Sequence, residues 1–373
     1  MSYQLFTTMA SGFESLVKQE LQDLGYEVET ENGRVFFEGE QEDIAKTNLW
    51  LRVADRVKIL IKEFKVTTFE KLYDEINEID WAELIPVDGA FPVQGKSVRS
   101  KLHHEPSIQS VTKKAIVNKM AEQYHRRGVL LENGATYPLD ITITKDVARV
   151  SLDTTGASLF KRGYRTEHGE APLKENFVAG LLGLTKYDGS QLLVDPMTGS
   201  GTIPIEAAMK ARNIAPGMKR EFAYEQFDWF DNTLLEKALV EAEEAIDRDI
   251  KLQIEAFDIN QEMIEIAKLN AYDAGVLHDI EFKQRAVKDF KTDVEEGIII
   301  ANPPYGVRMK EIESVRKLYK EMGQVFNPLT HWSKYILTSD LSFEKFYDQK
   351  ATKRRKLYNG RLRTDLFQFW AKR

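Results

Sequence analysis

Cysteine is absent from all 373 residues, and histidine occurs only six times. The first absence excludes disulfides, thiolate zinc sites and a cysteine nucleophile together. The histidines show no metal-ligand spacing. Adjacent residues do not share a helix or strand face, so His103-His104 reads as a polar loop and no metal is expected. Long apolar runs are missing too: nothing approaches the ~18 residues of a membrane span. With mean hydropathy of −0.41 and a start, Met1-Ser2-Tyr3-Gln4, that is no secretory signal, a cytoplasmic protein without a membrane partner is expected. Positive charge is also scarce, at 52 Lys and Arg against 59 Asp and Glu, and a net −7 on its own argues against nucleic acid. Internal repeats and low-complexity tracts are not seen. What remains is an ordinary globular composition, 42% hydrophobic and 30% charged, long enough for two or three domains.

Residues 1–65 alternate strand and helix signals. Ser11 to Glu14 reads as a capping box, opening a helix with Phe13, Leu16, Val17, Leu21 and Leu24 on its apolar face and Gly25 at its stop. Strands are predicted near Tyr26 to Thr30, Gly33 to Glu38 and Val57 to Ile61, forming a small α+β unit. Residues 66–156 differ in charge. Lys96, Arg99, Lys101, Lys113, Lys114, Lys119, Arg126 and Arg127 face only Glu105 and Glu122. A helix through this stretch buries Ile108, Val111 and Ala115 and turns Lys113 and Lys114 outward, toward either solvent or an anionic partner. Pro138 to Thr144 and Val147 to Leu152 read as a hairpin turning at Lys145-Asp146. Residues 157–175 form a connector whose Lys161, Arg162 and Arg165 line a nucleic-acid channel or belong to a solvated linker.

Residues 176–373 change pattern. Short apolar runs at Leu192 to Val194, Ile254 to Phe257, Ile280 to Phe282, Ile298 to Ile300 and Tyr335 to Leu337 alternate with helical stretches. That is the signature of a mostly parallel sheet covered on both faces, with ligands at the carboxyl ends of its strands. The first run enters Asp195-Pro196-Met197-Thr198-Gly199-Ser200-Gly201-Thr202, whose glycines let a ligand approach the backbone. No Lys follows Gly201, so this is no nucleotide-triphosphate loop, and Asp195 suits a cationic ligand. Asp258 ends the second run and offers a carboxylate to ribose hydroxyls. Asn302-Pro303-Pro304-Tyr305 follows the run Gly297 to Ala301. A planar exocyclic amine is a poor nucleophile until its hydrogens are held, and the Asn302 amide and Pro303 carbonyls supply two acceptors. The prolines stiffen the turn, and Tyr305 offers a face for stacking.

A glycine turn, an acid and Asn-Pro-Pro-Tyr in this order resemble class I S-adenosylmethionine-dependent methyltransferases acting on exocyclic amines. The α+β unit, the basic unit and the Phe160-Lys161-Arg162-Gly163-Tyr164-Arg165 connector resemble the THUMP-containing methyltransferases, among which bacterial 23S rRNA guanine-N2 enzymes are nearest in layout. The resemblance implies a Rossmann-like methyltransferase domain at 176–373, preceded by a ferredoxin-like unit at 1–65 and an RNA-binding THUMP domain at 66–156. It implies S-adenosylmethionine as cofactor, held by Asp195, Pro196, Thr198, Gly199, Gly201, Thr202, Asp258, Ile259, Gln284 and Ala286. Gln284-Arg285-Ala286 stands where an Asp often reaches the adenine. Asn302, Pro303, Pro304 and Tyr305 become the catalytic set. Lys96, Arg99, Lys113, Lys114, Lys161, Arg162, Arg165, Arg354 and Arg355 become candidate RNA contacts, the last two from the closing run Lys353 to Arg363, which looks like the end of the same family.

The expected activity is methylation of a base amine in RNA, foremost guanine-N2 in 23S rRNA. Adenine-N6 in DNA or RNA, guanine-N2 in transfer RNA, a protein glutamine, and a catalytically silent RNA-binding protein are the alternatives. The basic front half favours RNA, because no segment after Asn302 is long enough for a separate DNA-reading domain.

Overall fold

The computed structural model describes residues 2–126, 130–165, 173–305, 309–360 and 362–372. Arg127, Arg361 and the connector stretch His168 to Pro172 lie outside the described residues. Among those described, no helix is long and apolar enough to cross a membrane.

The front half is built on β1 (Tyr3–Thr8), α1 (Glu14–Asp23), β2 (Val28–Glu31), β3 (Arg34–Gly39), α2 (Gln41–Trp50), β4 (Arg56–Lys65), α3 (Phe69–Asn77), β5 (Val93–Val98), α4 (Glu105–Gln123), β6 (Leu139–Thr144) and β7 (Val147–Asp153). The two units expected at 1–65 and 66–156 share one seven-stranded sheet, ordered β2-β3-β1-β4-β7-β6-β5. The ten-residue β4 is the splice. Its first residues, Arg56 to Ile59, pair with β1, and it pairs with β7 from Lys58 to Lys65 across a bulge at Leu60/Lys62. The hairpin at Lys145-Asp146 has both residues at positive φ (50° and 63°), the two-residue geometry that matches strand twist.

Two local readings change. Ser11 makes no capping bond at α1; instead the Glu14 carboxylate turns back to accept from Gly12 N at 2.8 Å and Gly33 N at 3.1 Å, tying the helix start to the β2–β3 turn. His104 caps α4, its Nδ1 accepting from Ser107 N at 3.3 Å.

The second half comprises α5 (Glu175–Gly183), β8 (Leu192–Asp195), α6 (Thr202–Ala211), α7 (Thr233–Glu244), β9 (Ile254–Asp258), α8 (Gln261–Ala274), β10 (Ile280–Gln284), β11 (Gly297–Ala301), α9 (Met309–Phe326), β12 (Trp332–Thr338), α10 (Phe343–Tyr347), β13 (Lys353–Asn359) and β14 (Leu362–Phe369). Its sheet runs β10-β9-β8-β11-β12-β14-β13, with β8 to β12 parallel. Alternate residues bury on opposite faces: Leu193, Ile298 and Ile300 enter one core, while Val194, Ile299 and Ala301 enter another. The first of these cores continues into the front half, where Phe13 packs edge-on against Phe177 at 5.3 Å.

The closing basic run is not a free tail. Lys353 to Asn359 is β13, hairpinned onto β14, with Arg354 paired to Asp365 at 2.7 Å and Arg355 donating to Gly12 O at 2.5 Å. The insertion between Asp195 and Asp258 is a strut. Phe227 stacks on Tyr137 at 4.7 Å, Trp229 donates to Leu84 O at 3.2 Å, and α7 lies against α2.

Candidate active site

Strand order reverses between β8 and β11, which places a ligand crevice at their carboxyl ends. Ile299 is level with Val194, and Asp195 is level with Ala256. Asp195, Asp258 and Asn302, far apart in sequence, therefore reach one edge of the sheet.

Asp195 is fully buried. Its Oδ1 accepts weakly from Met197 N at 3.3 Å, and among the described residues its Oδ2 makes no well-aligned hydrogen bond, with the Thr198 hydroxyl alongside the carboxyl. Burial pushes this carboxyl up to about 7. Thr198 N donates to Phe257 O at 3.0 Å and Gly199 N to Asp258 Oδ2 at 3.0 Å, so the turn after β8 is stitched to the end of β9. Gly199 and Gly201 have φ of +50° and +86°. A Cβ on Gly201 would stand 3.0 Å from Ala267 Cβ, whereas one on Gly199 would meet only open space. Gly201 thus serves helix packing, and Gly199 leaves open space beside the turn. Pro196 lies in this turn, the buried Thr198 hydroxyl lies beside the Asp195 carboxyl, and Thr202 begins α6.

Asp258 already accepts from Gly199 N through Oδ2 and from Asn260 N through Oδ1 at 2.9 Å. Each carboxylate oxygen retains a second acceptor direction, so ribose hydroxyls would add to these bonds. Beside it Ile259 is 73% exposed, a large apolar side chain with no protein cover. Gln284 spends its Nε2 on Ile259 O at 3.1 Å, and Ala286 is half-buried nearby in the chain. An under-bonded carboxylate oxygen, an open glycine and an uncovered apolar face fit a ligand with a cationic amino-acid end, a ribose and a flat ring.

Asn302 and Tyr305 are half-buried, Pro303 is buried and Pro304 exposed. The Tyr305 hydroxyl donates to Asn302 Oδ1 at 2.7 Å, and burial raises its pKa, keeping it a neutral donor. This changes the expected picture: Tyr305 reaches the same oxygen that an amine hydrogen would use. That oxygen has a second lone pair, and in this resting arrangement the hydroxyl occupies the first.

The candidate RNA contacts do not form one surface. Lys96, Arg99 and Lys114 are exposed on the front half. Lys113 is tied down by Glu132 at 2.5 Å and Phe91 O at 2.9 Å. Arg354 and Arg355 serve the pairings of the closing hairpin. Arg162 is corrected outright. It is 2% exposed, its Nε and Nη2 both 3.3 Å from the Glu206 carboxylate, with Nη1 on Leu159 O at 2.8 Å and Nη2 on Arg52 O at 2.5 Å. Packing α6 against the connector buries the pair and turns this guanidinium away from solvent. Arg165 is also engaged, its Nη2 on Thr202 Oγ1 at 2.5 Å and its Nε 3.3 Å from Glu175. Lys161 remains exposed.

Three residues escaped the sequence reading. Glu206 interrupts the apolar run Ile203 to Met209, and a lone acid in such a run is a sign of a buried pair. Arg285 pairs with Glu255 at 2.5 Å and lies 5.1 Å over Phe257, bracing β9; Arg220 lies in the strut, and no spacing pointed to either.

Comparison with known proteins finds a match for each part of the chain. Residues 4–58 match the RlmL ferredoxin-like domain, 66–153 the THUMP domain, and 162–368 the RMKL-like methyltransferase domain. "Putative RNA methyltransferase YpsC" of Bacillus subtilis (strain 168) is 47% identical over 99% of this chain and 96% of its own length. "Ribosomal RNA large subunit methyltransferase K/L" of Psychromonas ingrahamii is 35% identical over 95% of this chain, which spans only 48% of that relative. Among solved structures, SMU.472, "a putative methyltransferase complexed with SAH", is 48% identical with a TM-score of 0.94, covering 100% of this chain and 99% of that one. The chain belongs to the RMKL-like methyltransferase family, here carrying a ferredoxin-like and a THUMP domain in front of the methyltransferase domain.

Proposed function

We propose that this protein methylates the exocyclic amine of an RNA base, guanine-N2 in 23S rRNA, in the cytoplasm. The observation that carries the reading is the meeting of Asn302-Pro303, the under-bonded Asp195 Oδ2 and Asp258 at one strand edge. S-adenosylmethionine, the cofactor of this family, supplies an electrophilic methyl group when bound. Asp195 would take its ammonium end, with Pro196, Thr198, Gly199, Gly201 and Thr202 shaping the turn around it. Asp258 would take the ribose, and Ile259, Gln284 and Ala286 would border the adenine. Asn302 Oδ1 and the Pro303 carbonyl accept the two amine hydrogens and so direct the nitrogen lone pair. Pro304 keeps the turn rigid. Tyr305, released from Asn302, presents its ring to the base.

The relatives named as a putative RNA methyltransferase and as a ribosomal RNA methyltransferase, together with the THUMP match, support RNA as substrate. The test is methyl transfer from labelled S-adenosylmethionine to RNA from a strain lacking the gene, followed by nucleoside identification and mapping. N2-methylguanosine in 23S rRNA is expected. Label appearing only in adenine, transfer RNA or DNA would replace the target, and an absence of transfer to any of them would overturn the reading.

A further inference from the structure

A cleft of about 1110 Å³ lies where the β6–β7 end of the front sheet, the connector and the strut meet. It is somewhat larger than the ~300–1,000 Å³ typical of small-molecule pockets. Six cations line it (Lys161, Arg162, Arg165, Lys174, Lys219 and Arg220) against two carboxylates, Glu175 and Glu221. In a chain of net charge −7 that is a local inversion of sign.

These cations are not equivalent. Arg162 and Arg165 answer Glu206 and Glu175. Lys219 turns its ammonium to Asp273 O. Arg220 is different: among the described residues it has no carboxylate partner. Its Nη1 donates to Ser158 O at 2.7 Å and Lys161 O at 3.1 Å, its Nη2 to Ala157 O, and its Nε is buried without a partner. Burial first, then the neighbouring Arg162 and Arg56, lower its pKa to about 10, so this cation is held where its surroundings disfavour charge. The Phe222 ring lies 5.0 Å from this guanidinium and Asp153 acts on it only through space, so a partly buried cation bonded to carbonyls is stabilised by an incoming anion.

An aromatic face accompanies it. Phe160 is half-buried in the cleft lining, with Lys174 Nζ 4.7 Å from its ring. Cations beside an aromatic platform form the pattern that holds single-stranded nucleic acid, phosphates on the cations and a base on the ring. Paired bases inside a duplex offer no free face to such a ring. The cleft also adjoins the chemistry, because Arg165 in its lining bonds Thr202 at the start of α6, the helix that follows the cofactor turn.

We propose that this cleft takes a single strand of the substrate RNA, one phosphate on Arg220, its neighbours on Lys161 and Lys174, and an unstacked base on Phe160. The proposal rests on the RNA methyltransferase reading and adds the form of the substrate and its route past the cofactor turn. It assigns the grip to the junction between domains and not to the exposed lysines of the front half.

The test uses the full chain with a fluorescent single-stranded oligoribonucleotide and a blunt duplex of the same length, read by anisotropy at several salt concentrations. Arg220→Gln and Phe160→Ala should each weaken single-strand binding about tenfold, the size of one lost phosphate or stacking contact. Arg220→Gln should also flatten the salt slope by roughly 0.7. Duplex binding should change little in either. Lys161→Gln combined with Lys174→Gln provides an independent arm, since neither residue braces the connector as Arg220 does; wild-type affinity in that pair and in Phe160→Ala would overturn the proposal. Binding of S-adenosylhomocysteine by calorimetry should stay unchanged throughout. A wild-type protein that binds no RNA at all would sink the RNA reading itself, whereas wild-type binding undiminished in these variants would sink the cleft alone.

Discussion

Replacing Arg162 with Met asks whether this arginine holds the protein together or holds RNA. Both partners of the Arg162–Glu206 pair are 1% exposed at the side chain. Met fills similar volume but leaves the buried Glu206 carboxyl without its guanidinium, with Tyr164 Oη still donating to it at 3.1 Å. Breaking a buried pair by removing one partner costs about 3–5 kcal/mol. The Leu159 and Arg52 carbonyls also lose their donors, at up to ~1–3 kcal/mol for a group that water cannot reach. About 4 kcal/mol is therefore a conservative expectation. In domains of ~150–250 residues 1 kcal/mol moves Tm by ~2–4 °C, and less in longer chains, so the fall here should be roughly 5–10 °C. Arg162→Met with Glu206→Leu should recover part of it, because the carboxylate that lost its guanidinium is gone, although the buried Arg52 loses the attraction of Glu206 as well. The assay is thermal unfolding of the two single variants and the double, with RNA affinity measured in parallel. An unchanged Tm together with weaker, less salt-dependent RNA binding would refute the assignment.

Asp195, raised to about 7 by burial, must be ionised to receive an ammonium group. Affinity for S-adenosylhomocysteine should therefore climb from pH 6 to pH 8 with proton release in calorimetry, and Asp195→Asn should bind weakly and without that slope. The same shift, shared by Glu175 at about 7, favours the neutral acids in the folded state. Their stabilisation is complete below pH ~4 and lost as pH rises through 7, so the cofactor-free protein should melt at lower temperature at pH 8 than at pH 5. A flat or rising Tm over that range would contradict the burial argument. Both Gly199→Ala and Gly201→Ala incur left-handed strain of about 1–2 kcal/mol, and Gly201→Ala alone also pushes on Ala267, so it should lower Tm further than Gly199→Ala does. Equal losses of Tm in the two variants would count against separate roles. Tyr305→Phe keeps the ring and removes the hydroxyl from Asn302, so kcat should persist and KM for RNA fall, whereas Asn302→Ala should abolish turnover with cofactor binding retained. A Tyr305→Phe variant as inactive as Asn302→Ala would make the hydroxyl part of the chemistry.

The reacting edge was legible because its information is local. Apolar runs announce strands, and Asp195, Asp258 and Asn302 each follow one directly, so a parallel sheet brings them together without any knowledge of packing. The cations were not legible in this way. Whether Arg162 faces water or a carboxylate 44 positions later is decided by how α6 meets the connector. Strand β13 escaped for a related reason: Lys353-Arg354-Arg355-Lys356 shows no apolar alternation, and the strand exists because Phe367 and Leu366 of β14 are there to pair with it. The Ser11 capping box failed because the Glu14 carboxylate divides its two oxygens between the local Gly12 N and the tertiary Gly33 N.

Strand β4 belongs to two pairings at once, and that has a mechanical meaning. A sheet that runs unbroken through the first two units has no hinge between them, and the strut fastens both to the methyltransferase domain at Tyr137, Leu84 and α2. The distance from the front half to Asn302 is then a constant of the protein, as in a caliper locked at one opening. Under the proposed function, any RNA that touches both the front half and the reacting edge must bridge that one fixed opening.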